Sequence, residues 1–146
     1  MFIKLDMANA FDRVNHNFLA ATLQKFDISP KFIYIIMACI FNPWIPPLMN
    51  GRPSRYFRST RGLRQGCPLS PFLYILMAET LSIQLESQRE KRKITSIRIA
   101  QGIKEINHSL FADDTLLIGG ASSIIARRFK KVLDDFLDVS RGLLNN

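Results

Sequence analysis

Only two cysteines, Cys39 and Cys67, occur in 146 residues, so no disulfide framework is available. There is no Cys-x-x-Cys and no Cys/His cluster, which leaves neither a zinc site nor a dithiol redox centre indicated. Glycine and proline are sparse, seven of each, which excludes collagen-like and low-complexity chains. The longest apolar run, Phe32 to Phe41, is ten residues, whereas a membrane-spanning helix needs roughly 20. No basic start leads into an apolar stretch and a small-residue cleavage site, so no signal peptide is read and a soluble, intracellular chain is expected. Acidic residues are also short, 12 against 20 Lys and Arg, a formal charge of +8, and none occurs between Asp27 and Glu79. That imbalance favours a polyanionic partner such as nucleic acid and carries no information about fold.

What remains is ordinary globular composition, 47% hydrophobic and 22% charged, at a length that suits one domain with its own core. Phe2, Lys4 and Asp6 alternate with Ile3 and Leu5, which predicts a short strand ending on an acid. The period of Phe18, Leu19, Thr22, Leu23 and Phe26 predicts a helix over Asn15 to Phe26. Ser29-Pro30 opens a second helix that Asn42-Pro43 stops. This helix is apolar nearly all round and is expected to be buried on most sides.

Asn50-Gly51 is a strong hairpin signal, with Trp44–Met49 and Tyr56–Thr60 as arms and Pro46-Pro47 pushing the first arm to an edge. Ser70-Pro71 reads as cap plus first helical residue of a long helix to about Arg89, closed by the basic stretch Arg89 to Lys93. Ile94 to Ile99 is a weak strand candidate. Ile106–Ala112 and Thr115–Ile118 are apolar arms around an Asp113-Asp114 turn. Ala121 to Val139 is an amphipathic helix with Ile124, Ile125, Phe129, Val132, Leu133 and Phe136 inward. Trp44 and the methionines read as core.

Three features carry chemistry. Two-residue hairpin turns favour Asn-Gly or Gly-X, so adjacent carboxylates at Asp113-Asp114 are poor turn formers that repel each other. A divalent cation would remove that repulsion; a solvated acidic turn is the plain alternative. Asp6 ends another strand and can act as a helix cap or as a third carboxylate. Three such groups could hold two metal ions for an in-line phosphoryl displacement. The third feature is Arg61-Gly62-Leu63-Arg64-Gln65-Gly66-Cys67-Pro68-Leu69-Ser70-Pro71. Its glycines allow close backbone approach to a ligand, its arginines address phosphates, and it opens a helix whose N-terminus favours anions. Read blandly, it is a polar loop with a good helix start.

Three blocks in order, Lys4-Leu5-Asp6-Met7-Ala8-Asn9-Ala10-Phe11-Asp12-Arg13-Val14, then Arg61 to Pro71, then Phe111-Ala112-Asp113-Asp114, resemble the palm of reverse transcriptases. The wording is most similar to LINE-type non-LTR retrotransposons, particularly their plant branch. The resemblance implies an α+β palm, a ferredoxin-like antiparallel sheet backed by helices, as one domain over residues 1–146 with fingers and thumb absent. It implies Asp6, Asp113 and Asp114 as catalytic metal ligands for two Mg²⁺, with Mn²⁺ a possible substitute. It puts Phe11 under the incoming sugar, and Gln65 and Gly66 on the nucleotide and template side. The implied partners are an RNA template, a DNA primer and dNTP, in nucleus or cytoplasm and with no membrane.

Asn9 and Ser109 depart from the family wording without touching the metal logic. The 146 residues alone are expected not to polymerise. Two readings stay open, a polymerase core or an inactive element remnant that at most binds nucleic acid non-specifically. A viral RNA-dependent RNA polymerase fits less well, with Ala112 where its glycine is usual and Phe11 where a small residue is.

Lys31, Arg52, Arg55, Arg58, Arg61 and Arg64 lie in the acid-free gap and suggest a path for template or primer. A spacing of three alternates faces on a strand, so they cannot all form one stripe, and Arg61 and Arg64 lead. Arg89–Lys93 and Arg127–Lys131 read as solvated faces. His16 and His108 have no partner at ligand spacing and read as packed or surface residues.

Overall fold

A computed structural model of the chain describes residues 1–41, 44–46, 48–55, 57, 58, 61–98 and 100–144, without side chains at 44, 45, 57 and 58. The Asn42-Pro43 helix stop, Pro47, Tyr56, Ser59-Thr60, Ile99, Asn145-Asn146 and the Trp44 side chain lie outside the described residues.

The alternating N-terminal segment is β1 (Phe2–Asp6). It pairs antiparallel with β7 (Asp114–Ile118), which pairs antiparallel with β6 (His108–Phe111), giving a sheet in the order β1-β7-β6. Register puts Asp6 opposite Asp114, Lys4 opposite Leu116 and Leu5 opposite Thr115. Alternation sends one set of side chains to each face. Thr115 and Leu117 are buried, whereas Phe2, Lys4, Ser109 and Phe111 are exposed. One face therefore meets the core while the other, bearing Asp6 and Asp114, is open.

The core lies between the buried sheet face and three helices. α1 (His16–Lys25) is capped by the Asn15 side chain, which accepts from the Asn17 and Phe18 amides at 2.9 and 3.4 Å. That satisfies two orphan donors of the first turn. α3 (Ser70–Glu90) sends Leu73, Tyr74, Met77, Leu81 and Leu85 inward at helical spacing. Its first residue is Ser70 rather than Pro71, and Ser70 is no cap, since its hydroxyl donates to the Arg64 carbonyl at 2.7 Å. α4 (Ser123–Ser140) begins on a Ser122 cap and buries Phe129, Val132, Leu133 and Phe136. Ile124, at the second position of α4, is 57% exposed, contrary to its predicted inward position. Each fully buried apolar side chain is worth about 1.5–3 kcal/mol.

α2 (Pro30–Phe41) has the predicted bounds but not the predicted burial. Only Ile33 and Ile36 are buried, while Phe32, Tyr34 and Ile35 stand exposed. One stripe faces the core and nothing described covers the rest. The Asn50-Gly51 turn is the expected one, with positive φ at both residues (51° and 74°). Its arms are two short pairs, β3 (Leu48–Met49) with β4 (Arg52–Pro53), and β2 (Trp44–Ile45) with β5 (Phe57–Arg58). The strand expected at Ile94 to Ile99 is reduced to a single bridge between Ile97 and Ile106.

The segment after α4 returns to the exit of β1. Leu144 bridges Met7, the Ala8 amide donates to the Leu143 carbonyl at 2.8 Å, and Arg13 Nε donates to the Arg141 carbonyl at 3.2 Å.

Candidate active site

Asp6 and Asp114 are directly opposed on neighbouring antiparallel strands, so their side chains leave the same face of the sheet. Pairing of Phe111 with Asp114 makes Ala112 and Asp113 the two turn residues. The turn expected at Asp113-Asp114 is thus displaced by one: Asp113 sits in it and Asp114 begins β7. Ala112 takes the left-handed conformation there, φ 51°. The Met7 amide donates to the Asp113 carbonyl at 3.1 Å, fastening the turn to the end of β1. All three acids therefore reach one end of the sheet. Lys4 Nζ lies 3.1 Å from Asp114 Oδ2 in a largely solvated pair, worth at most about 1 kcal/mol.

Tyr74 joins this group from α3. It is 5% exposed, and its ring stacks on Phe11 at 5.0 Å with 24° between planes. Burial pushes its phenol up to about 12, and the negative charges of Asp113 and Asp6 push the same way. The phenol therefore stays protonated at neutral pH, close to both carboxylates. Phe11 is half-buried and held from the other side, since its carbonyl accepts from the Leu63 amide at 2.7 Å.

Among the described residues, no three His, Cys, Asp or Glu side chains stand close enough to hold a metal ion. The donor chemistry fits a hard cation, but the carboxylates are not gathered into a finished cage. Lys4 pairs with Asp114 in this arrangement. Mg²⁺ suits such a site, because it commonly takes one or two carboxylates together with waters and substrate phosphates.

The glycine-rich loop packs against the turn that follows β1. The Gly62 amide donates to the Val14 carbonyl at 2.9 Å, and the Gly62 carbonyl lies 2.7 Å from His16 Nε2. A methyl group at Gly62 would stand 2.7 Å from the Asp12 carbonyl oxygen, so this glycine makes room for the chain's own backbone and not for a ligand as expected. Gly66 differs: φ is 78° and the space around it is open. Gln65 Nε2 donates to Asp12 Oδ1 at 3.3 Å, and Arg61, Arg64, Gln65 and Gly66 are all exposed.

Of the basic stretches read as solvated, Arg89 instead forms a two-nitrogen pair with Glu86 at 2.8 and 2.6 Å, and Arg128 donates to the Lys93 carbonyl. His16 is packed edge-on against Phe41. His108 is half-buried between Asn107 Oδ1 (2.6 Å) and Ser82 Oγ (2.9 Å), and its pKa is lowered by burial.

Tyr74, Lys4 and Asp12 are the residues missed from sequence. Tyr74 had a signal: it is a phenol at an inward position of an otherwise apolar helix face, and a buried hydroxyl needs a polar neighbour. Lys4 shares its face with Asp6 by strand alternation. Nothing local marks Asp12, whose role comes from packing against Gly62 and Gln65.

Opposed strand-end acids, a tyrosine behind them and a glycine-rich loop opening a helix make up the candidate site. The family model for reverse transcriptase (RNA-dependent DNA polymerase) matches residues 1–143, and the chain belongs to that family. It is 31% identical over 117 residues to the uncharacterised 149 kDa protein of transposon TX1 from Xenopus laevis, covering 80% of this chain and 9% of that protein. Against the Pol polyprotein of the R2DM retrotransposable element of Drosophila melanogaster it is 28% identical over 141 residues, covering 97% and 12%. An uncharacterised mitochondrial protein of Arabidopsis thaliana is 46% identical over 68 residues, covering 47% of this chain and 56% of that protein.

These relatives tie the chain to the reverse transcriptases of non-LTR retrotransposons. It spans about half of the plant protein and about a tenth of the other two. The fold matches telomerase from Candida albicans, solved with a fragment of telomeric RNA, with a TM-score of 0.74 at 14% identity over 99% of this chain and 26% of that one. Among the described residues no helix is long and apolar enough to cross a membrane.

Proposed function

We propose that the chain is the catalytic palm of an RNA-directed DNA polymerase, joining dNTP to a primer 3′-hydroxyl on an RNA template with release of pyrophosphate. The observation that carries this reading is the meeting of Asp6 and Asp114 across β1 and β7, with Asp113 on the adjoining turn. Asp6 and Asp113 would hold Mg²⁺, or Mn²⁺ in its place, with Asp114 as the third acid. Bound there, the two ions would stabilise the attacking and leaving oxygens of the displacement. Phe11, braced by Tyr74, would lie beneath the sugar and exclude a 2′-hydroxyl. Gln65, steadied by Asp12, and Gly66 would border the nucleotide and template. Arg61 and Arg64 would address strand phosphates.

The test has two parts. The purified chain is titrated with Mn²⁺ and followed by electron paramagnetic resonance, and Asp113→Asn is expected to weaken binding at least tenfold. A longer protein that adds the flanking segments its relatives possess is then assayed for primer extension on poly-rA with oligo-dT. Asp113→Ala is expected to lower templated extension by more than ~10²-fold, as loss of reactant positioning does. Extension that is indifferent to Asp6 and Asp113 would overturn the assignment. Metal and strand binding without extension would favour the inactive remnant.

A further inference from the structure

Two basic runs from distant parts of the sequence meet on the outer surface of the helices. Lys91, Arg92 and Lys93 form the turn that ends α3, and Arg127, Arg128, Lys130 and Lys131 lie in the first half of α4. All seven are exposed. Arg128 Nη1 donates to the Lys93 carbonyl and so joins the two runs. The turn is itself fixed, since the Lys91, Arg92 and Lys93 amides donate to the Ser87, Arg89 and Gln88 carbonyls. The surface is remote from the acids. α3 is 21 residues long, about 30 Å, and the glycine-rich loop opens its opposite end. The apolar stripe of α4 packs on the core, so its charged side points away from the open sheet face that bears Asp6 and Asp114.

Helix stability accounts for the first run and not for the second. Cations at the C-terminus of α3 suit its dipole. In α4 the order is reversed, with cations in the first half and Asp134, Asp135 and Asp138 in the second. Lys130 and Lys131 precede Asp134 and Asp135 by four places, the weaker order for such pairs, and Arg127 and Lys131 are like charges at the same spacing. Among the described residues none of the seven cations forms an ion pair, whereas Lys4, Arg89, Arg98 and Lys104 each have a carboxylate partner. Glu90 is the one acid within the first run, and Glu105, across the hollow beside Arg92, is held by Ser96 and Arg98. The surface is thus a set of free cations gathered at a cost to the helix that carries them, and a polyanion would offset that cost. Its chemistry narrows the partner. Protein interfaces are depleted of charge at their centre, but the apolar side chain beside these cations is Ile124 alone among the described residues of α4. A helix lying on a membrane needs a free apolar face, and that of α4 is committed to the core through Phe129, Val132, Leu133 and Phe136. A row of backbone phosphates asks only for cations.

We propose that this surface of α3 and α4 is a second nucleic-acid contact, holding the backbone of the RNA template away from the acidic site. The inference rests on the function proposed above, in which the template is the partner that extends beyond the acids. It uses none of Asp6, Asp113, Asp114, Arg61 or Arg64. Arg127, Lys130 and Lys131 meet phosphates along α4, and Lys91 and Lys93 continue the row across the Arg128 junction. Contacts of this kind orient a strand and carry no sequence preference.

The experiment is fluorescence anisotropy of a labelled single-stranded RNA on the 146-residue chain, in EDTA, over a salt series. The double variants Lys130→Gln/Lys131→Gln and Lys91→Gln/Lys93→Gln are each expected to weaken binding about tenfold at low salt and to reduce the slope of log K against log salt by about 1.4. Lys25→Gln/Lys104→Gln removes the same charge from exposed positions elsewhere and should leave the slope unchanged. Lysine acetylation of the unaltered chain, read by mass spectrometry, needs no variant to fold. Added RNA should protect Lys91, Lys93, Lys130 and Lys131 and leave Lys25 and Lys104 reactive. Absence of that protection overturns the proposal, and so do equal losses in the control. Displacement of the RNA by polyglutamate, or by phosphatidylserine vesicles, at equal charge concentration also overturns it, because the surface would then be a general anion contact. A chain that binds Mn²⁺ through Asp113 yet shows equal losses in the control keeps the proposed function and loses this surface. RNA binding that follows the α3 and α4 lysines, with Mn²⁺ binding indifferent to Asp113, does the reverse.

Discussion

Replacing Gly62 by alanine separates two penalties that usually travel together. The residue has φ 83°, and an L side chain in the left-handed region costs about 1–2 kcal/mol. The new methyl would also stand 2.7 Å from the Asp12 carbonyl oxygen and 2.9 Å from the Asp12 carbonyl carbon and Cα. These are backbone atoms held by the Gly62–Val14 and Leu63–Phe11 hydrogen bonds, so they cannot rotate aside. Forced overpacking adds about 1–3 kcal/mol. The total, about 2–5 kcal/mol, is a large share of the 5–15 kcal/mol typical of a domain. Gly66→Ala is the control, because φ is 78° but nothing lies within 4 Å of the added carbon, so only the backbone penalty of about 1–2 kcal/mol applies. Urea unfolding followed by far-ultraviolet circular dichroism measures both, with midpoints compared at constant m. If Gly62→Ala costs no more than Gly66→Ala, the close approach of the loop to Asp12 is wrong, and with it the account of how Gln65 is placed.

Ala112→Gly relieves the left-handed turn residue and should stabilise the chain by up to about 1 kcal/mol in the same assay, since glycine adopts that conformation without a steric penalty. Phe11→Ala in the longer protein should raise the use of rNTP relative to dNTP by roughly 5–150-fold while leaving metal dependence unchanged; equal loss of both substrates would make Phe11 a structural partner of Tyr74 and nothing more. Glu86, held near pH 2 by its bonds to Arg89 and Lys104, is more acidic folded than unfolded. Its contribution, ~1 kcal/mol for a solvent-screened pair, is present above about 4.5 and is lost as pH falls toward 2, and Glu86→Gln should remove that part of the pH–stability profile. Burial depresses His108, so the unfolded chain takes up the proton first and stability falls as pH drops below its ordinary 6.5; His108→Gln should flatten that window.

Periodicity located β1, α1 and α4, the Ser-Pro start signals located α2 and α3, and apolar arms located the two strands flanking the paired acids. The placement of Asp6 on the face shared with Lys4 was equally legible, since alternation allows no other arrangement. Three things were not. Apolar character states what a helix face prefers and not what stands opposite it, so α2 looked buried all round while Phe32, Tyr34 and Ile35 are exposed. The turn was assigned to two aspartates by residue chemistry, but register moved it onto Ala112, a residue with no turn preference. Gly62 looked ready for a ligand, whereas its neighbour is Asp12, more than forty places earlier in the chain, and only tertiary packing reveals that.

The return of the chain after α4 to the exit of β1 has a mechanical consequence. Met7 is gripped on one side by the Asp113 carbonyl and bridged on the other by Leu144, with Ala8 tied to Leu143 immediately beyond. Asp6 is thus the last residue before a doubly anchored joint, and one anchor belongs to the acid-bearing turn itself. Tension applied beyond residue 144 would load these backbone bonds in shear before it reached any helix of the core. Whatever pulls or pushes on that stretch would act on the end of β1 and on the acid-bearing turn together, so Asp6 and Asp113 would move as one piece.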